Sequence, residues 1–256
     1  MSLIKTPEDL DFIRIAGKRL ARILDTIGKA VAPGVSTQEL NDMAEDLIRA
    51  GGDIPAFLNY KPAGAPSPYP ATLCVSINNQ AVHGIPSKDR ILKEGDIVSL
   101  DTGLIHKGRI ADMCITVPVG SVDATAKRLI EVTKKALFKG IDVARAGAYV
   151  SAIGNVIEPY ILKEGFEVVA ELGGHGTGHT VHEEPHIFHI AQKSKGKKLM
   201  PGMVITIEPT VSEGSGEVDI AEDEWTYKTV DGSRTAQWEH TLIITDGVPE
   251  VVTMLE

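Results

Sequence analysis

The two halves of this 256-residue chain carry the same three sequence patterns in the same order. The first half contains them at residues 82–86, 92–101 and 112–120, and the second half at residues 181–185, 199–208 and 239–247. Each half therefore supplies one histidine followed by two carboxylates. We expect carboxylates at matched positions of a duplicated unit to face each other across a pseudo-twofold axis. The repetition predicts a metal-binding site between two half-sites.

Helix-capping signals precede the strand-like patterns in both halves. Thr6 fits an N-cap before Pro7, and apolar residues at helical spacing extend this helix to about Lys29. Ser36 begins a capping box, which predicts a second helix that ends at Gly51. Helices over about 125–140 and 152–162 follow in the second half. We therefore expect an α/β (α+β) fold in one domain over residues 1–256, with an internal repeat at about 5–120 and 121–250.

Composition limits the classes of protein to which the chain can belong. The formal net charge of -9 argues against broad phosphate-backbone binding, which needs a basic face. Only Cys74 and Cys114 are present, so no disulfide framework is expected and a reducing compartment is the default. The start of the chain lacks a signal-peptide pattern, and no apolar run approaches the roughly 20 residues of a membrane span. We expect a soluble cytoplasmic protein without nucleic-acid or membrane partners.

Two aspartates flank a predicted hairpin turn in the first half. A turn centred between residues 106 and 107 would pair Asp101 directly with Asp112, with Cβ atoms about 5 Å apart. Gly108 leaves another register open, because it could mark a bulge. Two acids on a solvent-exposed face are the simpler interpretation of one such pair. The second half repeats the arrangement, which favours a shared cation instead.

Four carboxylates and one imidazole form the candidate ligand set. Burying four carboxylates together is costly unless cations neutralise them, and two divalent ions balance their formal charge. The ligands would be Asp101, Asp112, Glu208, Glu239 and His175. Oxygen ligands with one imidazole suit Mn, Fe, Co or Zn in a hydrolytic site. Glycines flank His175 and permit close backbone approach, but the spacing leaves His179 open as the imidazole.

Two motif matches are excluded by local chemistry. Residues 182–186 fit the His-Glu-x-x-His pattern of zinc proteases, but Pro185 prevents the helix that this motif needs. Asp101 begins an Asp-Thr-Gly sequence, but the chain has no second copy to complete an aspartic-protease dyad.

The segment 61–70 is rich in proline and glycine and cannot form a helix or a central strand. It precedes the first histidine pattern, so it is either a surface connection or one wall of a substrate cleft. The lysine-rich segment 193–198 is better interpreted as a solvated loop than as a nucleic-acid patch.

In this order, the motifs resemble those of the type I methionine aminopeptidases over nearly the whole chain. The resemblance is carried by His-Gly-Ile-Pro at 83–86, Asp101 and Asp112, Gly-His-Gly at 174–176, His-Glu-Glu-Pro at 182–185, Ile-Glu-Pro at 207–209 and Gln-Trp-Glu-His-Thr at 237–241. The absence of an insertion before Glu208 resembles type I rather than type II. The resemblance implies the pita-bread fold, in which two pseudo-twofold halves share a central antiparallel sheet flanked by helices.

The resemblance also implies a metallo-exopeptidase that removes the initiator methionine from nascent proteins, preferentially when the second residue is small. One metal would be held by Asp101, Asp112 and Glu239, and the other by Asp112, His175, Glu208 and Glu239. Metal-activated water would attack the peptide bond, with Glu208 as general base and acid. His83 and His182 would hold the scissile amide and stabilise its developing charge. The methionine pocket would be lined by Tyr69, Cys74 and Trp225.

The expected partners are the N-terminal segments of nascent polypeptides, with proximity to the ribosome and a monomeric state. The two ions would be Co, Mn, Fe or Zn. The chain departs from the family pattern at Val181, where an aromatic residue is frequent, and at His179, where arginine is common. Around Asp112, residues 110–114 are Ile-Ala-Asp-Met-Cys, where the family more usually has Gly-Asp-Thr. These departures concern the shape of the pocket and catalytic efficiency, because all five ligand positions are present.

Two other functions compete with this interpretation. An aminopeptidase P or prolidase that cleaves X-Pro peptides is favoured by the Leu-Asp-Thr-Gly sequence at residues 100–103 and by His179. Such proteins usually carry an additional N-terminal domain, for which the chain has no room. A non-catalytic pita-bread module that binds peptides is the second alternative, and its members typically lose metal ligands.

Overall fold

The computed structural model describes residues 2–255, which form four α-helices and fifteen β-strands. The helices are α1 (Pro7–Ala30), α2 (Thr37–Ala50), α3 (Ala124–Val143) and α4 (Ser151–Lys163). The strands of the first half are β1 (Ile54–Pro55), β2 (Cys74–Ile77), β3 (Gln80–Val82), β4 (Ile97–His106) and β5 (Arg109–Pro118). Those of the second half are β6 (Glu167–Val168), β7 (Gly173–Gly176), β8 (Glu183–Phe188), β9 (Val204–Ile207), β10 (Thr210–Ser212), β11 (Val218–Ile220), β12 (Tyr227–Thr229), β13 (Thr235–Gln237), β14 (Glu239–Ile243) and β15 (Glu250–Val251).

One nine-stranded antiparallel sheet contains the long strands of both halves. Its order is β1-β4-β5-β14-β9-β7-β8, with β2 also paired to β4 and β15 to β14. Two three-stranded sheets, β13-β10-β6 and β11-β12-β3, accompany it. The halves join at the β5–β14 pair, where Glu239 lies opposite Cys114. Side chains from both halves can therefore meet at the centre of the large sheet.

The two helices of each half pack against each other and against neighbouring strands. In the first half, α1 packs against β4, β5 and α2, and in the second, α3 packs against α4, β13, β10, β9 and also β5 of the first half. The two largest apolar clusters contain fully buried side chains, among them Leu20, Leu24 and Leu100 in one and Leu129, Ile157 and Ile205 in the other. Within residues 2–255, no helix combines the length and the apolar character that a membrane crossing requires.

The predicted helix starts are confirmed by their capping contacts. Thr6 and Ser36 both form capping boxes, with Asp9 and Glu39 as the reciprocal partners. The second pair of helices also lies where it is predicted, within one residue at three of its four ends. The exception is α3, which continues beyond Gly140 to Val143. A Cβ at Gly140 would lie 2.8 Å from Cδ1 of Ile157, so this glycine serves close helix packing and does not end the helix.

The turn of the β4–β5 hairpin lies one residue later than predicted. Lys107 and Gly108 form it, with φ angles of 50° and 75°, so the turn is not centred between residues 106 and 107. Two consecutive residues with positive φ are typical of a type I′ turn, whose twist matches that of the flanking strands. Gly108 is thus a turn residue and not a bulge.

This shift changes the relation between the two aspartates of the hairpin. Asp101 pairs with Cys114, and Asp112 pairs with Gly103. The predicted direct pairing of Asp101 with Asp112 was therefore wrong. Because residues two apart on a strand share a face, the two aspartates are diagonal neighbours on the same face of the sheet. Both side chains can still contribute to one site.

Matching loop conformations occur in the two halves. Gly34 follows α1 and Gly147 follows α3, with φ angles of 93° and 90°. These angles favour glycine, because other side chains are strained in the left-handed region. A single domain with an internal repeat over about 5–120 and 121–250 remains a prediction.

Candidate metal centre

Three buried side chains bring potential ligand atoms within 4.8 Å of one another. They are Asp112 on β5, His175 on β7 and Glu239 on β14, so both halves of the chain contribute. Their exposed fractions are 2%, 8% and 2%. Two carboxylates and one imidazole form a donor set that divalent metals accept.

Asp101 and Glu208 extend this group to five residues around one cavity. Asp101 lies on β4, Glu208 directly follows β9, and both line the cavity with the other three. Asp101 Oδ1 and Glu239 Oε1 are buried and have no hydrogen-bond partner among residues 2–255. Buried carboxylate oxygens without partners are costly. The donor set and these two partnerless oxygens fit divalent cations, which would neutralise the carboxylates and satisfy the oxygens.

Burial dominates the electrostatics of the cluster. It raises the pKa of Asp112 to about 7 and that of Glu208 to about 8. The pKa values of the other two carboxyls rise well above their usual range, through burial and the neighbouring carboxylates. Burial and the nearby His182 lower the pKa of His175 to about 3, so its imidazole is neutral at neutral pH. A neutral imidazole is the form that binds metals.

Hydrogen bonds fix the orientation of His175. Its Nδ1 lies 2.9 Å from the carbonyl oxygen of Gly176, so the ring proton is on Nδ1 and Nε2 keeps its lone pair. Nε2 lies 3.4 Å from Oε1 of Glu208. The backbone N–H of His175 donates to Thr206 Oγ1, and that hydroxyl donates to Glu208 Oε1 at 2.6 Å. One threonine thus holds two members of the cluster.

The glycines beside His175 allow β7 to lie very close to its neighbours. A Cβ at Gly174 would lie 2.4 Å from the carbonyl oxygen of Thr206, and one at Gly176 would lie 2.1 Å from that of Glu184. The pairing of β7 with β8 is irregular between these two glycines. An irregularity of this kind can redirect a side chain. The Gly-His-Gly sequence is therefore required by backbone packing around the site.

His83 and His182 line the same cavity as the carboxylates. The ring centroids of His182 and His175 are 4.4 Å apart. His83 follows β3 with a φ of 60°, and the next residue must be glycine because a Cβ at Gly84 would lie 2.3 Å from the carbonyl oxygen of Val75. Burial and the nearby His182 lower the pKa of His83 to about 4. Two neutral imidazoles beside the cluster can each donate and accept one hydrogen bond.

His179 does not belong to this group, which decides between the two candidate imidazoles. Its Nε2 lies 3.3 Å from Asp9 Oδ2 on α1, and its backbone N–H donates to Glu183 Oε1. Asp9 also forms an ion pair with Arg109. His179 thus ties the loop after β7 to α1, and His175 is the imidazole of the carboxylate cluster.

Aromatic and apolar side chains form one side of the cavity. Tyr69, Cys74 and Trp225 line it, together with Phe57, Tyr60, Pro62 and Val181. The rings of Tyr69 and Trp225 contact each other edge to face, with centroids 5.2 Å apart. Sequence analysis did not select Phe57 and Tyr60 as lining residues. The one sequence feature that could have indicated their role is their position immediately before the proline-rich segment 61–70.

The segment 61–70 is an irregular loop that forms part of the cavity wall. Pro62 and Tyr69 line the cavity, and Trp225 Nε1 donates a hydrogen bond to Ser67 Oγ at 3.2 Å. The base of the loop is closed by a backbone hydrogen bond from Tyr69 N to Tyr60 O. These contacts favour the cleft-wall interpretation over that of a plain surface connection.

The His-Glu-x-x-His match lies in an extended segment, as expected. Residues 183–186 belong to β8, and Pro185 is buried within that strand. The two histidines of the match are therefore not one helical turn apart. The exclusion of a zinc-protease helix is confirmed.

Comparison with known proteins identifies relatives over the whole chain. Residues 11–246 match the profile of metallopeptidase family M24. The chain is 41% identical over 253 residues to methionine aminopeptidase 1 of Bacillus subtilis (strain 168), with 99% of each sequence covered. It is 38% identical over 252 residues to methionine aminopeptidase of Escherichia coli (strain K12), which covers 98% of this chain and 93% of the relative.

Solved structures agree with this assignment. The crystal structure of methionine aminopeptidase from Rickettsia prowazekii matches with a TM-score of 0.93 and 39% identity, over 98% of this chain and 99% of that chain. Prolidase from Pyrococcus furiosus has a TM-score of 0.78 and 22% identity, covers 99% of this chain and 66% of that chain, and shares the fold alone. The predicted pita-bread fold and the resemblance to methionine aminopeptidases are confirmed. The chain belongs to metallopeptidase family M24.

Proposed function

We propose that this protein is an aminopeptidase that hydrolyses the peptide bond after an N-terminal methionine. The observation that carries the proposal is the cluster of four carboxylates, three of them buried and one partly buried, with one neutral imidazole, which shares a cavity with an aromatic pocket. The relatives named methionine aminopeptidase, about 40% identical, support the choice of substrate. The substrates would be the N-terminal segments of nascent polypeptides, and the enzyme would act as a cytoplasmic monomer.

Two divalent ions per chain are part of this proposal. Asp101, Asp112 and Glu239 would hold one ion, and Asp112, His175, Glu208 and Glu239 would hold the other. Divalent cations here would supply Lewis acidity, which lowers the pKa of water and polarises a carbonyl group. Oxygen-rich ligation accepts Co, Mn, Fe or Zn.

Glu208 is the proposed proton carrier. Its Oε1 accepts a hydrogen bond from Thr206, and its Oε2 accepts one from Gln237 Nε2 at 3.3 Å. These contacts hold the carboxyl group at the cavity wall beside His175. From there it takes a proton from the attacking water and delivers it to the leaving amine.

His83 and His182 are the proposed hydrogen-bonding partners of the scissile amide. Both rings line the cavity beside the carboxylate cluster, so a carbonyl between them would receive N–H donors as negative charge develops on its oxygen. We expect the two rings to limit the space for the second side chain of the substrate, so that small second residues are preferred. Tyr69, Cys74 and Trp225 would hold the methionine side chain, whose thioether makes favourable contacts with aromatic rings.

The experiment is hydrolysis of the peptide Met-Ala-Ser by chelator-treated protein, before and after titration with Co, Mn, Fe or Zn. We expect release of free methionine only after a metal is added. Glu208→Gln should abolish turnover, whereas Glu217→Gln, a surface change, should retain it. Preferential cleavage of X-Pro peptides would instead favour a prolidase-like enzyme, and peptide binding without hydrolysis would favour a non-catalytic module. Equal rates on Met-Ala and Met-Leu peptides would contradict the small-residue preference.

A further inference from the structure

A tyrosine hydroxyl contacts one of the two cavity histidines. The hydroxyl oxygen of Tyr60 lies 2.9 Å from Nδ1 of His182, and the ring centroids are 5.4 Å apart. Tyr60 stands at the base of the 61–70 loop, where its backbone N–H donates to Phe57 O and its carbonyl accepts from Tyr69 N. Its position is therefore fixed by the backbone of the cavity wall.

The backbone around His182 is held by other contacts. The carbonyl oxygen of His182 accepts a hydrogen bond from Thr180 Oγ1 at 3.0 Å, and Glu183 Oε1 accepts from the backbone N–H of Thr180. Glu183 also forms a buried ion pair with Lys5, at 2.5 Å. These contacts hold the backbone around His182 without Tyr60, and the Tyr60 hydroxyl contacts the imidazole ring at Nδ1.

The direction of the Tyr60–His182 hydrogen bond decides which ring nitrogen carries the proton. A neutral imidazole has one donor nitrogen and one acceptor nitrogen. Burial raises the pKa of Tyr60, so the phenol remains protonated. Among residues 2–255, Nδ1 of His182 is the only hydrogen-bond acceptor in contact with the phenol hydroxyl, so the phenol proton is donated to Nδ1. The ring proton must then be on Nε2.

The other ring nitrogen is free to face a ligand. Among residues 2–255, Nε2 of His182 makes no hydrogen bond, and the ring lines the cavity together with Asp112 and Glu208. A protonated Nε2 presents an N–H donor to a carbonyl oxygen in this cavity. An unprotonated Nε2 would present a lone pair to the lone pairs of that oxygen, which is repulsive.

We infer that Tyr60 is a positioning residue that holds His182 in its Nε2-protonated form and thereby aims an N–H donor at the carbonyl oxygen of the scissile bond. The carbonyl as the recipient rests on the function proposed above. The protonation of Nε2 does not, because it follows from contacts within the chain alone.

The first test is the tautomer of His182, observed by NMR with ¹⁵N-labelled histidine in metal-free wild-type protein and in Tyr60→Phe. The His182 signals are assigned by their loss in His182→Ala. We expect the proton on Nε2 in the wild type and a mixture of the two tautomers in Tyr60→Phe. A proton on Nδ1 in the wild type, or the same tautomer in both proteins, would overturn the inference.

The second test is the kinetics of Met-Ala-Ser hydrolysis by the metal-loaded proteins. Tyr60→Phe removes one oxygen and keeps the ring in the pocket, so we expect kcat to fall about tenfold while KM changes less than about twofold. The matched control is Tyr160→Phe on α4, where the ring packs against Lys139 and does not line the cavity, and it should leave both constants unchanged. A wild type that releases methionine, together with a fully active Tyr60→Phe, would refute the role of Tyr60 and leave the proposed function intact. An inactive wild type would refute the proposed function, while the NMR test would still decide the tautomer.

Discussion

Replacing Glu208 with glutamine should stabilise the metal-free protein, although it should abolish its activity. Burial raises the pKa of Glu208 from 4.5 to about 8. In metal-free protein at pH 7.5, this carboxyl is therefore largely protonated when folded and ionised when unfolded. Each pH unit between the unfolded pKa and the solution pH costs about 1.4 kcal/mol, so the free energy of unfolding is lowered by as much as about 4 kcal/mol. Glutamine carries no such cost.

The sign of this effect reverses the usual expectation for an active-site change. A carboxyl with a raised pKa contributes its full stability below the unfolded pKa, near pH 4.5, and loses it as the pH rises towards 8. Glu208→Gln should therefore gain stability over the wild type at pH 7.5 and match it near pH 4.5. Glutamine can keep the hydrogen bond from Thr206, because its side-chain carbonyl accepts as the carboxylate does.

The assay is urea unfolding of chelator-treated protein at both pH values, with Glu217→Gln as an exposed control. Adding a divalent metal should reverse the order, because ligand binding stabilises the folded wild type by mass action and the variant lacks one ligand. If Glu208→Gln is no more stable than the wild type at pH 7.5, or gains equally at both pH values, the electrostatic account of the cluster fails.

Three further changes test how the chain supports the site. Gly174→Ala places a Cβ 2.4 Å from the carbonyl oxygen of Thr206, so it should separate β7 from β9 and lower the free energy of unfolding by about 1–3 kcal/mol. It should also weaken metal binding, measured by calorimetric titration. Unchanged metal affinity would show that β7 can move freely. Leu100→Ala in the buried core should lower the free energy of urea unfolding by about 2–5 kcal/mol. A loss of less than about 1 kcal/mol, as expected for a surface change, would contradict the place of Leu100 in the core. Lys5→Met leaves the carboxylate of Glu183 buried without its cationic partner and should lower the free energy of unfolding by about 3–5 kcal/mol. The double change Lys5→Met with Glu183→Gln should restore part of this loss. A double variant as unstable as Lys5→Met alone would exclude the unpaired charge as the cause.

Local chemistry in the sequence is sufficient to predict the helix starts and the four carboxylates that line one cavity. Thr6 and Ser36 satisfy the first backbone N–H groups of their helices, a requirement that depends on neighbours within three residues. Asp101 and Glu208 follow apolar strand-like runs, which indicates a charged group next to a buried strand segment; in the fold, Asp101 lies within β4 and Glu208 directly follows β9. These features depend on short stretches of chain and therefore leave a readable pattern.

Features that depend on distant contacts were missed or left open. The hairpin register depends on whether one lysine, Lys107, adopts a positive φ, and one residue of difference in the turn moves every partner across the hairpin by two positions. Tyr60 reaches His182 from an irregular loop that has no periodicity to interpret. The choice between the candidate imidazoles required the partner of His179, Asp9, which is far away in the sequence.

The β5–β14 pair joins the two halves directly beneath the cluster. Across this seam, Asp112 N donates to Thr241 Oγ1 and that hydroxyl donates to Asp112 O, while Glu239 lies opposite Cys114. A cation shared by Asp112 and Glu239 would therefore act as a removable cross-link between halves of the chain that are far apart in sequence, and cross-links of this kind restrict the unfolded ensemble. Amide hydrogen exchange at Asp112 should consequently slow when metal is added, because the bound ion would hold the two halves of the sheet together.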